Sequence, residues 1–244
     1  MQPIDSQWMA RALQLAALGL NTTSPNPRVG CVLVKDGKII GEGWHQRAGE
    51  AHAEVHALRA AGSAAQGATA YVTLEPCSHF GRTPPCAGAL IAAGISRVVI
   101  AMQDPNPLVS GQGIALLRDA GIEVEYGLIE SVARELNIGF FARMTRGLPW
   151  VRSKIAASLD GRTALANGTS QWITGEAARQ DVQRWRARSC AVVTGIGTVL
   201  ADDPQLNVRI DTGRQPLRVV LDSDLRIPPN AKIIQQGTLI FTAS

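Results

Sequence analysis

The sequence predicts an α/β fold arranged as two domains. Three observations carry that expectation. Short segments rich in Val, Ile, Thr and Tyr alternate with segments of helical period, the pattern of a sheet covered by helices. The chain has 244 residues, which suits one large or two modest domains. The stretch 137–149 has few apolar patterns and contains Gly139, Gly147 and Pro149. That break divides the chain into domains 1–147 and 148–244.

The first domain begins with a helix over 5–19. Asp5 or Ser6 is its expected N-cap, and Leu13, Ala16, Ala17 and Leu20 recur at helical spacing. Gly19 and the 21–27 stretch end it. Val29–Lys35 and Lys38–Trp44 read as paired strands, because Asp36-Gly37 between them is a strong hairpin turn. A helix over 52–61 and a strand over 68–74 follow. Strand 68–74 delivers Glu75-Pro76-Cys77 at its C-terminal end, where open α/β sheets bind ligands. After the loop 78–86, Cys86 opens a helix over 87–93, closed by Gly94. Strand 98–102, helix 111–120 and strand 122–126 complete a β-α-β repeat. The rigid loop Asp104-Pro105-Asn106-Pro107 follows a strand end and is a candidate pocket rim.

In the second domain, 150–157 reads as a strand, 175–188 as a helix and 191–194 as a strand. Gly195-Ile196-Gly197-Thr198 then reads as a short glycine-rich turn, whose backbone N–H groups suit a phosphate. A dinucleotide fingerprint would need glycine at 200, where Leu200 stands. The apolar strand 238–242 lies at the end of the sequence. A terminal apolar strand needs neighbours to bury its faces and pair its edge, so the second domain is expected to be incomplete in these residues.

Composition narrows the function classes. The chain is 45% hydrophobic and 18% charged, ordinary for a globular protein with a sizeable core. Its net charge of +4 suits a phosphorylated small molecule. Aromatics are only 5%, with no run interleaved with Lys or Arg, which argues against nucleic acid. No apolar run reaches the roughly 18 residues of a membrane span, and no signal-peptide pattern opens the chain. Four cysteines make no disulfide framework in a chain of this size. The expectation is a cytoplasmic protein without a membrane partner; a homo-oligomer is compatible with it.

The chemistry gathers at His52-Ala53-Glu54, Pro76-Cys77 and Cys86. One imidazole and two thiols are preferred zinc donors, and three protein ligands leave the open position of a catalytic site. Glu54 is placed beside them to take and return protons. Zinc nucleobase deaminases carry the same order, His-x-Glu followed by Pro-Cys and a second Cys. Here eight residues separate the cysteines instead of two. His52 and Cys86 each start a helix, where the dipole favours a thiolate and negative charge. Cys31, within an apolar strand, reads as core. His56 reads as a core or supporting residue, because Ala53 stands where a zinc protease motif needs Glu. Asn26, between Pro25 and Pro27, is either a loop residue satisfying its own backbone or a pocket donor and acceptor for a pyrimidine. His45 is either a solvated loop residue or part of the pocket wall.

These motifs together resemble the bifunctional riboflavin-biosynthesis deaminase/reductase family. The matching stretches are Pro25-Asn26-Pro27, His52 to Leu58, Thr73 to His79, Gly81 to Cys86 and Asp104 to Pro107. The resemblance implies a cytidine-deaminase-like α/β/α first domain and a dihydrofolate-reductase-like α/β second domain. It implies Zn²⁺ on His52, Cys77 and Cys86, with Glu54 as proton shuttle. Its implied substrate is a diaminopyrimidinone carrying a phosphoribosylamino group, with Asn26, His45 and His79 as further candidate contacts. In the second domain Ala156, Trp172, Thr198, Asp202 and Ser223 fall where the family contacts NADPH. Ser170, Arg186, Leu206 and Arg209 fall where it contacts substrate. Without the resemblance, Arg186 reads as a solvated charge, with a guanidinium pairing a substrate phosphate as the alternative, and Trp172 reads as core. The family's reductase half runs on past residue 244 and supplies further strands there.

Two rival readings fit the residues less well. A single-function nucleoside or tRNA deaminase would not carry the 158–164 and 170–174 motifs. A zinc-stabilised RNA-binding module would need no Glu54 and would show a basic aromatic face.

Overall fold

The computed structural model describes residues 1–78, 85–107 and 109–243. Two compact units are present, Met1–Val151 and Arg152–Ser244. Each is described by itself.

The first unit is a five-stranded sheet with helices on both faces. Strands β1 (Gly30–Lys35) and β2 (Lys38–Trp44) form an antiparallel hairpin. Asp36 and Gly37 both take positive φ at its turn, the conformation that a two-residue Asp-Gly hairpin favours. Strands β3 (Thr69–Val72), β4 (Arg97–Ile100) and β5 (Glu123–Tyr126) run parallel to one another, and the sheet order is β2-β1-β3-β4-β5. Parallel neighbours need a crossover, and helices supply it. Helix α3 (Cys86–Ala92) lies between β3 and β4 in the chain, and α4 (Gln112–Asp119) between β4 and β5.

Alternation along the strands builds two cores. Cys31, Leu33, Ala70, Val72, Val98 and Ile100 face helices α2 (Ala53–Ala61), α3 and α4. Val32, Val34, Tyr71 and Val99 face α1 (Asp5–Leu18) and α5 (Glu130–Leu136) on the other side. Helix α6 (Ile138–Arg146) adds Phe141 to that second core. Local patterns give 137–149 no element, yet most of it is helical. The helices there are short and joined through buried Asn137, whose side chain accepts from Arg28 N at 2.8 Å and donates to Arg28 O at 2.9 Å. That pairing is tertiary, so local patterns do not show it.

Asp5 is a second correction. It caps nothing: Ile4 is the N-cap residue of α1, with no side-chain capping bond. Asp5 is instead fully buried, receiving a two-pronged bond from Arg97 (3.0 and 2.8 Å) and one from Tyr71 Oη at 2.7 Å. Arg97 also holds Glu125. The network ties α1 to β3, β4 and β5 at the amino ends of the parallel strands.

The second unit is a parallel sheet, β6 (Ala191–Gly195), β7 (Leu217–Leu221) and β8 (Thr238–Phe241), in that order. Helix α7 (Glu176–Arg188) precedes β6, and α8 (Ile196–Asp202) follows it directly. The expected glycine-rich turn at 195–198 is therefore the first turn of a helix. Residues 150–157 form no strand, and Val151 and Ile155 are exposed. β-type composition makes a strand only where a neighbour offers N–H and C=O groups in register, and no strand ladder among the described residues includes this segment. Arg152 there stacks on the Trp185 ring at 4.0 Å.

The Arg97 guanidinium holds the Asp5 carboxyl far below the usual carboxylate range, against the opposing effect of burial. A depressed folded-state value means that the charge stabilises the fold above the unfolded value of about 3.9. That contribution is lost as pH falls below it. Removing one partner of a buried pair costs about 3–5 kcal/mol. Asp5→Ala is expected to lose about that much at neutral pH in urea denaturation, and the difference from the unmodified chain should shrink as the pH is taken well below 4.

Candidate functional site

Two packing features put His52 at the sheet. Gly41 and Gly43 on β2 let the backbone of α2 lie directly on the strand. A Cβ on Gly43 would stand 2.4 Å from Ala53 O, and one on Gly41 would stand 2.3 Å from Ala57 O. Small Ala53 and Ala57 on the facing side of α2 are fully buried in the same contact. His52 is the N-cap residue of α2 with extended backbone, and its ring is free of capping duty. Glu54 lies in the first turn of the helix, 3% exposed.

The two cysteines arrive from different elements. Cys77 lies just beyond the end of β3, carried through Thr73, Leu74, Glu75 and Pro76. Cys86 is the first residue of α3 and is fully buried. Ligand atoms of His52, Cys77 and Cys86 lie within 4.8 Å of one another, the one such group of three among the described residues. His52 Nδ1 is 3.2 Å from Cys86 Sγ and 3.6 Å from Cys77 Sγ. The backbone N–H of Cys86 donates to Cys77 Sγ at 3.3 Å, as a helix N-terminus does for an anion. Bonds from Cys86 and His52 lower the pKa of the Cys77 thiol, while hydrogen bonding to Cys77 and burial raise that of the Cys86 thiol.

The residues fit a zinc ion. Two sulfurs and one imidazole nitrogen converge, and this is a zinc donor set. Glu54 adds a second sign. Its Oε2 is buried without a hydrogen-bond partner, and burial, then the nearby Cys77 sulfur, push its carboxyl up to about 7. A buried polar atom left unpaired calls for an occupant. Cys31 is buried in the core beneath β1 and stands outside the group of three.

His45 and Asn26 stand beside this cluster. The His45 and His52 rings meet edge-on, with centroids 5.3 Å apart. His45 is buried, and its Nδ1 lies 3.1 Å from Ala51 O. A carbonyl only accepts, so Nδ1 carries the proton and Nε2 accepts from Asn26 Nδ2 at 3.3 Å. Burial lowers the His45 pKa, which keeps the ring neutral. His45 is thus neither a solvated loop residue nor a metal ligand here. His79 lies outside the described residues. His56 Nε2 is buried without a partner, and the residue is not part of the ligand group.

In the second unit the structure brings together part of the expected set. Ser170 Oγ donates to Asp202 Oδ1 at 3.2 Å. Thr198 and Asp202 are on α8, which begins directly after β6, and Ser223 follows β7. Arg186, on α7, donates to Asn207 O at 3.2 Å, close to Leu206 and Arg209 in sequence. Burial, and then the charge of Arg209, lower its pKa. Trp172 is 69% exposed under the Arg179 guanidinium at 4.4 Å, so it is not core. Ala156 is half-buried in the segment that forms no strand. Sequence reasoning misses Glu75, whose carboxylate accepts four backbone N–H groups close to Cys77. A Glu directly before Pro-Cys is the only local signal of it.

Two family models match the chain. The cytidine and deoxycytidylate deaminase zinc-binding region covers residues 2–102, and the RibD C-terminal domain covers 149–244. The riboflavin biosynthesis protein RibD of Escherichia coli K12 is 60% identical over 245 residues, covering 95% of this chain and 67% of its own length. The chain thus spans about two thirds of the length of such relatives. RibD of Acinetobacter baumannii superposes with a TM-score of 0.92 at 58% identity, over 98% of this chain and 69% of that one. A crystal structure of a diaminohydroxyphosphoribosylaminopyrimidine deaminase/5-amino-6-(5-phosphoribosylamino)uracil reductase from Thermotoga maritima gives 0.93 at 42% identity, over 99% and 70%. With its deaminase zinc site in the first unit and its reductase fold in the second, the chain belongs to the RibD family of riboflavin-biosynthesis enzymes, bifunctional deaminase/reductases that use Zn²⁺ and NADPH.

Proposed function

We propose that His52, Cys77 and Cys86 hold the zinc and that Glu54 is the proton shuttle of a pyrimidine deamination. The observation that carries this reading is the convergence of those three ligand atoms next to a buried carboxylate with one unpaired oxygen. The substrate is 2,5-diamino-6-(phosphoribosylamino)pyrimidin-4-one and the product 5-amino-6-(5-phosphoribosylamino)uracil, in keeping with the activity for which the Thermotoga relative is named. Bound zinc supplies Lewis acidity that makes a water nucleophilic near neutral pH. Glu54 would accept a proton from the attacking water as it adds to the amino-bearing carbon and pass it to the adjacent ring nitrogen. It would then carry the second proton to the leaving amine, so that one water enters and one ammonia leaves. A carboxyl group raised toward neutrality can both take and give protons there. Neutral His45 orients the Asn26 amide, and Asn26 and His45 contact the pyrimidine, with His79 as a third contact.

The second unit then reduces the ribosyl group to ribityl. NADPH supplies the hydride when bound. Ala156, Trp172, Thr198, Asp202 and Ser223 contact the cofactor; Ser170, Arg186, Leu206 and Arg209 contact the phosphorylated substrate. The half-buried guanidinium of Arg186, its pKa lowered by burial and by the charge of Arg209, supports the last assignment, since a phosphate would compensate it. We place the domain boundary at 147/148, next to the start of the RibD C-terminal match at 149. We also place the enzyme in the cytoplasm, acting on this small molecule and not on nucleic acid. No disulfide joins the described cysteines, and no described helix is long and apolar enough to cross a membrane.

Ammonia release and metal content test the first half together. Glu54→Gln is expected to keep about one zinc per chain while deamination falls by at least ~10²–10⁴-fold. Near-normal ammonia release would assign the shuttle to another group. Cys77→Ser should lose zinc and deamination together, and Cys31→Ser neither; full zinc retention in Cys77→Ser would remove it from the ligand set. For the reductase half, Trp172→Ala is expected to weaken NADPH binding in a fluorescence titration while deamination is unchanged.

A further inference from the structure

We propose that Glu75 is a positioning residue for the metal centre: its carboxylate locks the Cys77 backbone to α4 and to the 104–107 loop. The proposal rests on the reading that Cys77 is a zinc ligand. Glu75 lies two residues before Cys77 and is 3% exposed. A buried carboxylate is costly unless both oxygens are satisfied. Here the satisfying groups are all main-chain N–H groups. Oε2 accepts from Asp104 N at 3.1 Å and Gly111 N at 3.0 Å. Oε1 accepts from Gly113 N at 2.9 Å and Ile114 N at 3.3 Å. Three of the four donors belong to the start of α4, whose dipole favours the anion. The fourth opens the loop that follows β4.

A second contact, made by one of those donors, bears on the same peptide. Gly113 presses on the carbonyl of Pro76, the group bonded to the nitrogen of Cys77. A Cβ on Gly113 would stand 2.0 Å from Pro76 O. Glu75 N donates to Met102 O at 3.0 Å, so the main chain is also tied to the strand extension beside it. The segment leading to Cys77 is therefore gripped by a side chain, by a helix backbone and by a neighbouring strand. An apolar side chain would fill the same space without a buried charge. The carboxylate adds direction: it sets the distance between the Cys77 segment and α4 to within hydrogen-bond tolerance. Supporting bonds of this kind hold ligands in the geometry that a metal requires.

The test measures zinc affinity apart from activity. The zinc-loaded full chain is titrated with a chromophoric chelator, and the zinc dissociation constant is compared across variants. Glu75→Gln keeps the size but places an NH₂ against two N–H donors. It is expected to weaken zinc binding on the order of 10-fold or more. Gly113→Ala keeps the Glu75 carboxylate but its Cβ would press on Pro76 O and on Glu75 Cγ, at 3.3 Å, and is expected to move the constant in the same direction. Asp5→Asn, at the opposite end of the sheet, serves as the structural control. It should lower the melting temperature without changing zinc affinity. A Glu75→Gln chain that melts lower yet binds zinc as tightly as the unmodified chain would overturn the proposal. If Glu75→Gln does not fold, Gly113→Ala decides on the same criterion. An unmodified chain that holds no zinc would instead overturn the metal-ligand reading itself.

Discussion

The first unit depends on the parallel pairing of β3 with β4. Parallel strands carry their carboxyl ends to the same edge and oblige the chain to cross back over the sheet. Here that one constraint does several things. It brings the Cys77 segment and the 104–107 loop side by side, and it makes α3 the crossover. Because α3 starts at Cys86, the second thiol is returned to the edge that the first has just left. The antiparallel hairpin on the other side of β3 then gives α2 a strand to lie on, and two glycines let it approach closely enough to bring His52 in.

Three buried carboxylates show how surroundings decide the role of one chemical group. Asp5 meets a guanidinium and a phenol, so its charge is matched and its pKa falls far. Glu75 meets four peptide N–H groups and serves as a brace. Glu54 keeps one buried oxygen unpaired, and its pKa rises to about 7. The matched charge stabilises the fold, the four bonds underlie the positioning role proposed for Glu75, and the unpaired oxygen underlies the shuttle role proposed for Glu54. Desolvation without compensation is what turns a carboxylate into an acid–base group at neutral pH.

The metal motif could be read directly because it is local. His52 and Glu54 stand two residues apart, and Pro-Cys marks a strand end. The hairpin at Asp36-Gly37 and the alternation of strand and helix are likewise short-range signals, and these elements formed within a few residues of their expected bounds. The errors have a common source. The 150–157 segment has strand composition but belongs to no strand ladder among the described residues, and Asp5 has cap chemistry but a partner 92 residues away. The helices over 130–146 gain their apolar contacts and the Asn137 bonds only from distant chain.

By itself the sequence determined the donor types, their order and the α/β alternation, because these rest on side-chain chemistry and on periods of two and 3.6 residues. Tertiary structure decided which groups met: that one Asp pairs with Arg97 across the sheet, that His45 is neutral and aimed at Asn26, and that Glu75 grips α4. Those outcomes depend on burial and on distances between remote residues. No spacing along the chain encodes them, because the same residue type is stabilised, raised in pKa or left solvated according to what the fold places around it.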